Sequence, residues 1–227
     1  MHVLALDTST DRCAVALGDG EEWAERTVDA GQTHSEIVLP MIDELLSAAG
    51  VRLGGLAAIA FGAGPGSFTG LRIACGVAQG LAWGAGLRLA PVGSLLALAE
   101  ATGRDRVVVA IDARMRELYL AAYRRAAQGW DEVIEPCVGA ADELPVPAAA
   151  DWFGAGNAFR MVPELAVRLG CTAGVDPDAL PSAVAIGRLG LLAARAGRLV
   201  APEEAAPVYV RDRVARTIAE RALASAR

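Results

Sequence analysis

At 227 residues the chain is long enough for one large domain or two small lobes with a buried core, so it needs no disulfide framework. Hydrophobic residues make up 54% and charged residues 21%, which excludes a disordered chain. All 21 basic residues are arginine, against 27 acidic ones, for a net charge of −6. That balance excludes a basic face gripping nucleic acid unaided and every mechanism that requires lysine.

The four cysteines, Cys13, Cys75, Cys137 and Cys171, lie far apart without a C-x-x-C pair, and His2 and His34 are the only histidines. Neither a zinc site nor a disulfide scaffold can be built from that set. The N-terminus runs straight into an apolar segment with no basic leader, so a cytoplasmic location is expected. The longest uncharged run, Leu53 to Leu71, holds six glycines and Pro65, which suits a strand and loop better than a membrane span.

Val3-Leu4-Ala5-Leu6-Asp7 reads as a buried strand ending in an aspartate, and Cys13-Ala14-Val15-Ala16-Leu17 as its return strand. Val108-Val109-Ala110-Ile111-Asp112 and Leu118-Tyr119-Leu120-Ala121-Ala122 echo that pair, which predicts two related lobes over 1–104 and 105–227. Between the copies, Thr33 or Ser35 is placed to cap a helix running to about Ala49, with Ile37, Met41 and Leu45 on one stripe, Pro40 near its first turn and Gly50 ending it. A strand over about Leu56 to Phe61 leads into the loop Gly62 to Gly70 and a helix over about Leu71 to Ala85. A further helix after Pro91 closes the first lobe. The second lobe contains a Pro-rich stretch near Pro145, a strand at Gly154 and a helix from Ser182 to about Ala196, and an Arg-rich tail follows Pro207.

The glycine loop has the look of a phosphate cradle before a helix N-terminus. It lacks the lysine of a P-loop and the third glycine of a dinucleotide motif, so close packing against a neighbour explains it equally well. Asp7, Thr8, Ser9, Gly64, Gly66 and Ser67 are the candidate nucleotide or ligand contacts. Asp7 and Asp112 could hold magnesium, although turn capping accounts for both. In the following helix, Leu71, Ala74, Cys75, Ala78, Leu81, Ala82 and Ala85 form a core stripe, while Gly76, Gly80 and Gly84 recur on another side. Three interior glycines cost roughly 2–3 kcal/mol relative to alanine. Close approach of another helix, from the same lobe or from a partner, would offset that cost.

Leu6-Asp7-Thr8-Ser9-Thr10, Thr33-His34-Ser35-Glu36, Gly64-Pro65-Gly66-Ser67-Phe68-Thr69-Gly70-Leu71-Arg72, Asp112-Ala113-Arg114 with Glu117 and Tyr119, and Pro207-Val208-Tyr209-Val210-Arg211 together resemble the TsaB (YeaZ) family over nearly the whole chain. The resemblance implies an α/β, two-lobed actin-like ATPase and sugar-kinase fold, degenerate and with a truncated second lobe. It further implies a non-catalytic subunit in the formation of N6-threonylcarbamoyladenosine beside the tRNA anticodon. Such a subunit binds the catalytic TsaD directly, meets the ATPase TsaE in the complex and reaches tRNA only through it.

The catalytic relative carries an H-x-x-x-H metal motif where this chain reads Ser94-Leu95-Leu96-Ala97-Leu98, so no catalytic and no metal-binding residue is assigned. No cofactor is expected on this chain alone, and a nucleotide at the junction of the complex stays open. The family's helical-bundle contact maps onto Ile73, Gly76, Val77, Gly80 and Trp83, with Met41 and Leu45 from the preceding helix. A homodimer in the partner's absence is a corollary. The competing readings are a kinase-like phosphotransferase using Asp7 and, ranked last, a peptidase acting on TsaD.

Overall fold

The computed structural model describes residues 1–31 and 33–211, so the tail after Arg211 lies outside the described residues. Two five-stranded sheets carry the fold. The first contains β1 (Val3–Asp7), β2 (Arg12–Gly18), β3 (Trp23–Asp29), β4 (Ala58–Gly64) and β5 (Leu89–Gly93). The second contains β6 (Arg106–Asp112), β7 (Leu118–Ala126), β8 (Gly129–Gly139), β9 (Phe153–Ala155) and β10 (Val175–Asp176). Their orders, β3-β2-β1-β4-β5 and β8-β7-β6-β9-β10, are the same topology, with two antiparallel and two parallel pairings in each.

The echo in the sequence is thus a duplication in space, with one adjustment. Asp7 pairs with Ala14 and Asp112 with Leu118, so Leu118 corresponds to Ala14 rather than Cys13, because the first turn is one residue longer. In the first copy α1 (His34–Ala49) connects β3 to β4, and α2 (Phe68–Ala85) connects β4 to β5. In the second copy the β8–β9 connection is the Pro-rich stretch, which has turns but no helix, and β10 is two residues long. Those two losses are the truncation of the second lobe. The duplicated sheets and the shortened second copy bear out the degenerate two-lobed α/β fold that the resemblance implies.

Alternation of large and small residues decides what covers each face of the first sheet. Leu4, Leu6, Val15, Leu17, Ile59 and Phe61 point to one side, where they pack with Val38, Met41, Ile42 and Leu45 of α1 and Ala74, Cys75, Ala78 and Ala82 of α2. The other side presents Ala5, Ala14, Ala16, Ala60 and Ala90, a flat surface on which α6 (Ala183–Arg195) lies through Ile186, Leu189 and Leu191. Gly187 and Gly190 allow this approach, since a Cβ at Gly187 would collide with the Trp23 ring and one at Gly190 would stand 2.5 Å from the Cβ of Ala60.

The structure corrects the lobe assignment of one helix and extends that of another. α3 (Ser94–Ala101) lies between the sheets: Leu96 and Ala97 pack with Ala60, Ala90 and Val92 of the first and with α6, while Leu95, Leu98 and Ala99 meet Val107, Val109, Ala121 and Tyr123 of the second. α6, expected in the second lobe, packs on the first sheet. The segment after α6 also returns to the first lobe, where Val200 and Leu89 exchange backbone hydrogen bonds of 2.9 and 3.0 Å. A division at 104/105 separates the sheets but not the helices that cover them. On the other face of the second sheet, Trp152, Phe159, Leu165 and Leu169 bury Val108, Leu118 and Leu120; Phe159 belongs to α4 (Ala158–Met161) and Leu165 to α5 (Leu165–Arg168).

Smaller departures have local causes. Thr33 stands at the α1 N-cap position, but its hydroxyl donates to the Ala30 carbonyl instead of capping the helix. Pro40 lies in the second turn of α1, inside the helix, where the missing N–H leaves the Glu36 carbonyl without its helical partner. β5 includes Pro91 and β8 includes Pro136, and both are edge strands, where proline is tolerated.

Candidate functional site

The β1–β2 turn and the glycine loop form one packed unit. Asp7 ends β1 fully inside the protein, and its carboxylate accepts hydrogen bonds from the Ser9 amide at 3.1 Å and the Ser9 hydroxyl at 3.0 Å. The Thr8 hydroxyl donates to the Gly70 carbonyl at 2.6 Å, and the Ser67 amide donates to the Ser9 carbonyl at 2.7 Å. Each glycine of the loop has a steric reason. A Cβ at Gly62 would strike the Asp7 carboxylate, one at Gly66 would stand 2.6 Å from the Ser9 carbonyl, and one at Gly70 would overlap the Thr8 carbonyl. Gly64 adopts a φ of +117°, and its Cβ would stand 2.7 Å from the Val208 carbonyl.

Close packing therefore accounts for these glycines, and the Ser67 amide that a phosphate would need is already committed. Of the candidate ligand contacts, Ser9, Gly66 and Ser67 line a cleft of about 620 Å³ between the two sheets, whereas Asp7, Thr8 and Gly64 do not. This corrects the expectation of six convergent ligand contacts, because Asp7 and Thr8 are buried beneath the turn. Arg12, Asp112, Arg114, Tyr119, Tyr209 and Arg211 also line the cleft.

Burial pushes the Asp7 carboxyl above its ordinary value of 3.8, and the two Ser9 hydrogen bonds and the nearby His34 oppose that shift. A carboxyl raised in the folded state makes its ionised form a cost to folding. That cost is absent below the unfolded value, grows as pH rises from it toward the raised one, and is constant above that. Asp7→Asn keeps the shape without the charge: its Oδ1 still accepts from the Ser9 amide, and its Nδ2 donates to the Ser9 hydroxyl, which turns to accept. Its stability relative to the parent is expected to improve as pH rises above the ordinary carboxyl value and then to level off, and urea denaturation at a series of pH values checks it; a pH-independent difference contradicts the assignment.

Asp112 repeats the turn-capping role. Its carboxylate accepts from the Arg114 amide at 2.8 Å and pairs with the Arg114 guanidinium at 3.3 Å, while its own amide donates to the Asn157 side chain at 2.8 Å. His34 is the first residue of α1 and is buried. Among the described residues no group of three or more His, Cys, Asp or Glu side chains is arranged to hold a metal, and no described helix is long and apolar enough to cross a membrane.

The second candidate surface is the outer face of α2. Ser67 caps this helix by accepting from the Gly70 amide, and Gly86 ends it in the left-handed conformation. Gly76, Gly80 and Gly84 are exposed, and apart from the adjoining turns of α2 itself no atom of the described residues lies within 4 Å of where a Cβ would stand. The reading in which a helix of the same lobe fills this groove is thereby overturned for the described residues. Trp83 is 69% exposed beside them, and Ile73 and Val77 are half-buried at the margin.

Met41 and Leu45 are a correction. They are 6% and 2% exposed within the first core, because they share the α1 stripe that faces Leu4 and Leu6, and they cannot touch a partner directly. Sequence reasoning also missed Phe68 and Arg72, which precede Gly76 at helical spacing. The Arg72 guanidinium lies 3.2 Å from the centre of the Phe68 ring. The i, i+4 series Phe68, Arg72, Gly76 was the signal that could have found them.

Comparison with known proteins identifies the family to which this fold belongs. The family described as TsaD, tRNA N6-adenosine threonylcarbamoyltransferase, matches residues 28–162. The tRNA threonylcarbamoyladenosine biosynthesis protein TsaB of Escherichia coli is 36% identical over 95% of this chain and 96% of its own, and that of Haemophilus influenzae 37% identical over 94% and 95%. The chain belongs to the TsaB family. YeaZ from Pseudomonas aeruginosa superposes with a TM-score of 0.82 at 38% identity, covering 92% of this chain and 99% of the other. A second crystal structure, described as an uncharacterized protein with similarity to peptidase YEAZ from Pseudomonas aeruginosa, reaches 0.86 at 39% identity with the same coverage. Family membership joins the chain to tRNA threonylcarbamoyladenosine biosynthesis.

Proposed function

We propose that this TsaB-family chain is a non-catalytic subunit that binds and activates the catalytic TsaD for threonylcarbamoyl transfer to tRNA, together with the ATPase TsaE. The observation that carries this reading is the open face of α2. Three helix-interior glycines, each costing about 0.8–1 kcal/mol against alanine, are retained where nothing in the described chain approaches them. A partner helix seated on Gly76, Gly80 and Gly84, flanked by Ile73, Val77 and Trp83, would offset that cost through close backbone packing. In TsaD's absence two copies can meet through the same face as a homodimer.

Two further observations support a non-catalytic role. α3 offers no histidine where the catalytic relative carries its metal motif. Asp7, on which a phosphotransferase would depend, is buried and engaged by Ser9. The glycine loop, packed against Thr8 and Ser9, fits a nucleotide phosphate poorly, and no nucleotide is assigned to this chain alone.

Light scattering on a sizing column tests the reading. The chain mixed with TsaD from the same organism should elute as a stable heteromeric species. Gly80→Leu, whose Cβ meets no described residue outside α2, should keep the parent's circular dichroism spectrum and elute apart from TsaD. Separate elution of the unaltered chain, even with TsaE, nucleotide and tRNA present, overturns the proposal.

A further inference from the structure

Three sequence motifs that the proposed function does not use meet at one rim of the interlobe cleft. Phe68 and Arg72 come from the glycine-loop motif, Glu117 and Tyr119 from the Asp112 motif, and Tyr209 and Arg211 from the C-terminal motif. The segment 206–211 has no regular secondary structure, yet Val208, Tyr209 and Arg211 each make specific contacts. It leaves a site where the Gln79 side-chain amide of α2 donates to the Pro202 and Ala205 carbonyls at 2.8 and 3.1 Å. The Val208 amide then donates to the Ala63 carbonyl at 2.7 Å, at the end of β4. Tyr209 stacks at 6.0 Å on Phe68, with the Arg72 guanidinium 5.5 Å from its ring. Every contact up to this point is on the first lobe.

Arg211 crosses to the second. One of its guanidinium nitrogens donates to the Glu117 carboxylate, another lies 3.7 Å from the Met115 sulfur, and the group sits 6.0 Å from the Tyr119 ring. The Arg211 side chain is 14% exposed and that of Glu117 38%, so the pair is shielded on the arginine side and open to water on the other. It lands on an unusual turn. Arg114, Met115 and Arg116 all have left-handed backbone, with φ of 64°, 56° and 62°, a conformation that side chains other than glycine rarely adopt. Such a turn persists where its surroundings hold it, and Met115 and Glu117 are its points of contact with Arg211.

We propose that residues 206–211 are a latch across the cleft, with Arg211 on Glu117 as its catch, coupling the 113–117 turn of the second sheet to α2 and the first sheet. The same helix that anchors the latch through Gln79 carries the open glycines on either side of it, Gly76 and Gly80. A change at the cleft is therefore mechanically connected to the outer face of α2. The inference does not depend on which partner occupies that face.

Amide hydrogen exchange on the full chain tests the latch. Arg211→Gln and Glu117→Gln should each accelerate exchange about tenfold in both segments, 113–117 and 207–211, while β1 and β4 stay protected. The charge-swapped pair Arg211→Glu with Glu117→Arg should restore most of the lost protection. Acceleration confined to the mutated residue's own segment, or a swap that restores nothing while the single variants remain folded, overturns the proposal.

Discussion

Gly70→Ala, the addition of one methyl group, is expected to lower the free energy of unfolding by about 3 kcal/mol or more. The new Cβ would overlap the Thr8 carbonyl oxygen, a contact between two backbones that no side-chain rotation relieves. Neither backbone is free to retreat. Thr8 is tied to the Gly70 carbonyl by its own hydroxyl, and Ser67, one turn earlier, is tied to the Ser9 carbonyl through its amide. Relief would require moving α2 away from the β1–β2 turn, which breaks both hydrogen bonds and loosens the core beneath Leu71 and Ala74. Urea denaturation of Gly70→Ala beside Gly76→Ala makes the comparison at constant chemistry. A loss below about 1 kcal/mol at Gly70, within the range of an ordinary surface substitution, contradicts the rigid contact.

The same loop shows what the sequence carries and what it conceals. The run Gly62 to Gly70 declares that something approaches its backbone closely, but composition does not distinguish a phosphate from a neighbouring turn. In the fold the neighbour is Asp7-Thr8-Ser9, brought alongside by the parallel pairing of β1 with β4. That contact is long-range in the chain and leaves no periodic trace. The duplicated hairpins, by contrast, were legible because each is a local object, an apolar strand, a polar turn and a return strand, repeated with its aspartate in place.

Helix positions were legible for a similar reason, and helix destinations were not. Ser182 caps α6 by accepting from the Ala185 amide, as a residue of its type at a helix start should. An amphipathic stripe states that a helix covers something apolar without naming the sheet. The clue lay in the strands. Ala5, Ala14, Ala16 and Ala60 alternate with Leu4, Leu6, Val15, Ile59 and Phe61, so one face of the first sheet demands a closely approaching helix with little side chain. α6 satisfies this with Gly187 and Gly190, and α3, whose buried face is Leu95 and Leu98, suits the bulkier Val107, Val109 and Tyr123 of the second sheet. β3 escaped notice because it is an edge strand whose residues are mostly exposed and polar, so neither periodicity nor burial marks it.

Replacing Gly76, Gly80 and Gly84 together by alanine is expected to act in opposite directions on the chain alone and on the complex. In the free chain each alanine enters a helix-interior position that no described residue approaches and removes a propensity penalty, so stability should rise by about 2–3 kcal/mol. For a chain of this size that corresponds to a melting temperature higher by roughly 4–12 °C. In the proposed complex each added methyl would keep a partner helix from the α2 backbone, and TsaD binding should weaken at least tenfold as measured by titration calorimetry. Gly70→Ala supplies the contrast, losing stability through a contact inside the chain. A triple variant whose melting point is unchanged would mean that the glycine face is already covered in the free protein. A melting point that then depends on protein concentration identifies a second copy as the cover. The gain in stability together with the loss of binding is the signature of glycines retained for a partner, since a chain selected for its own stability alone would carry alanine at all three positions.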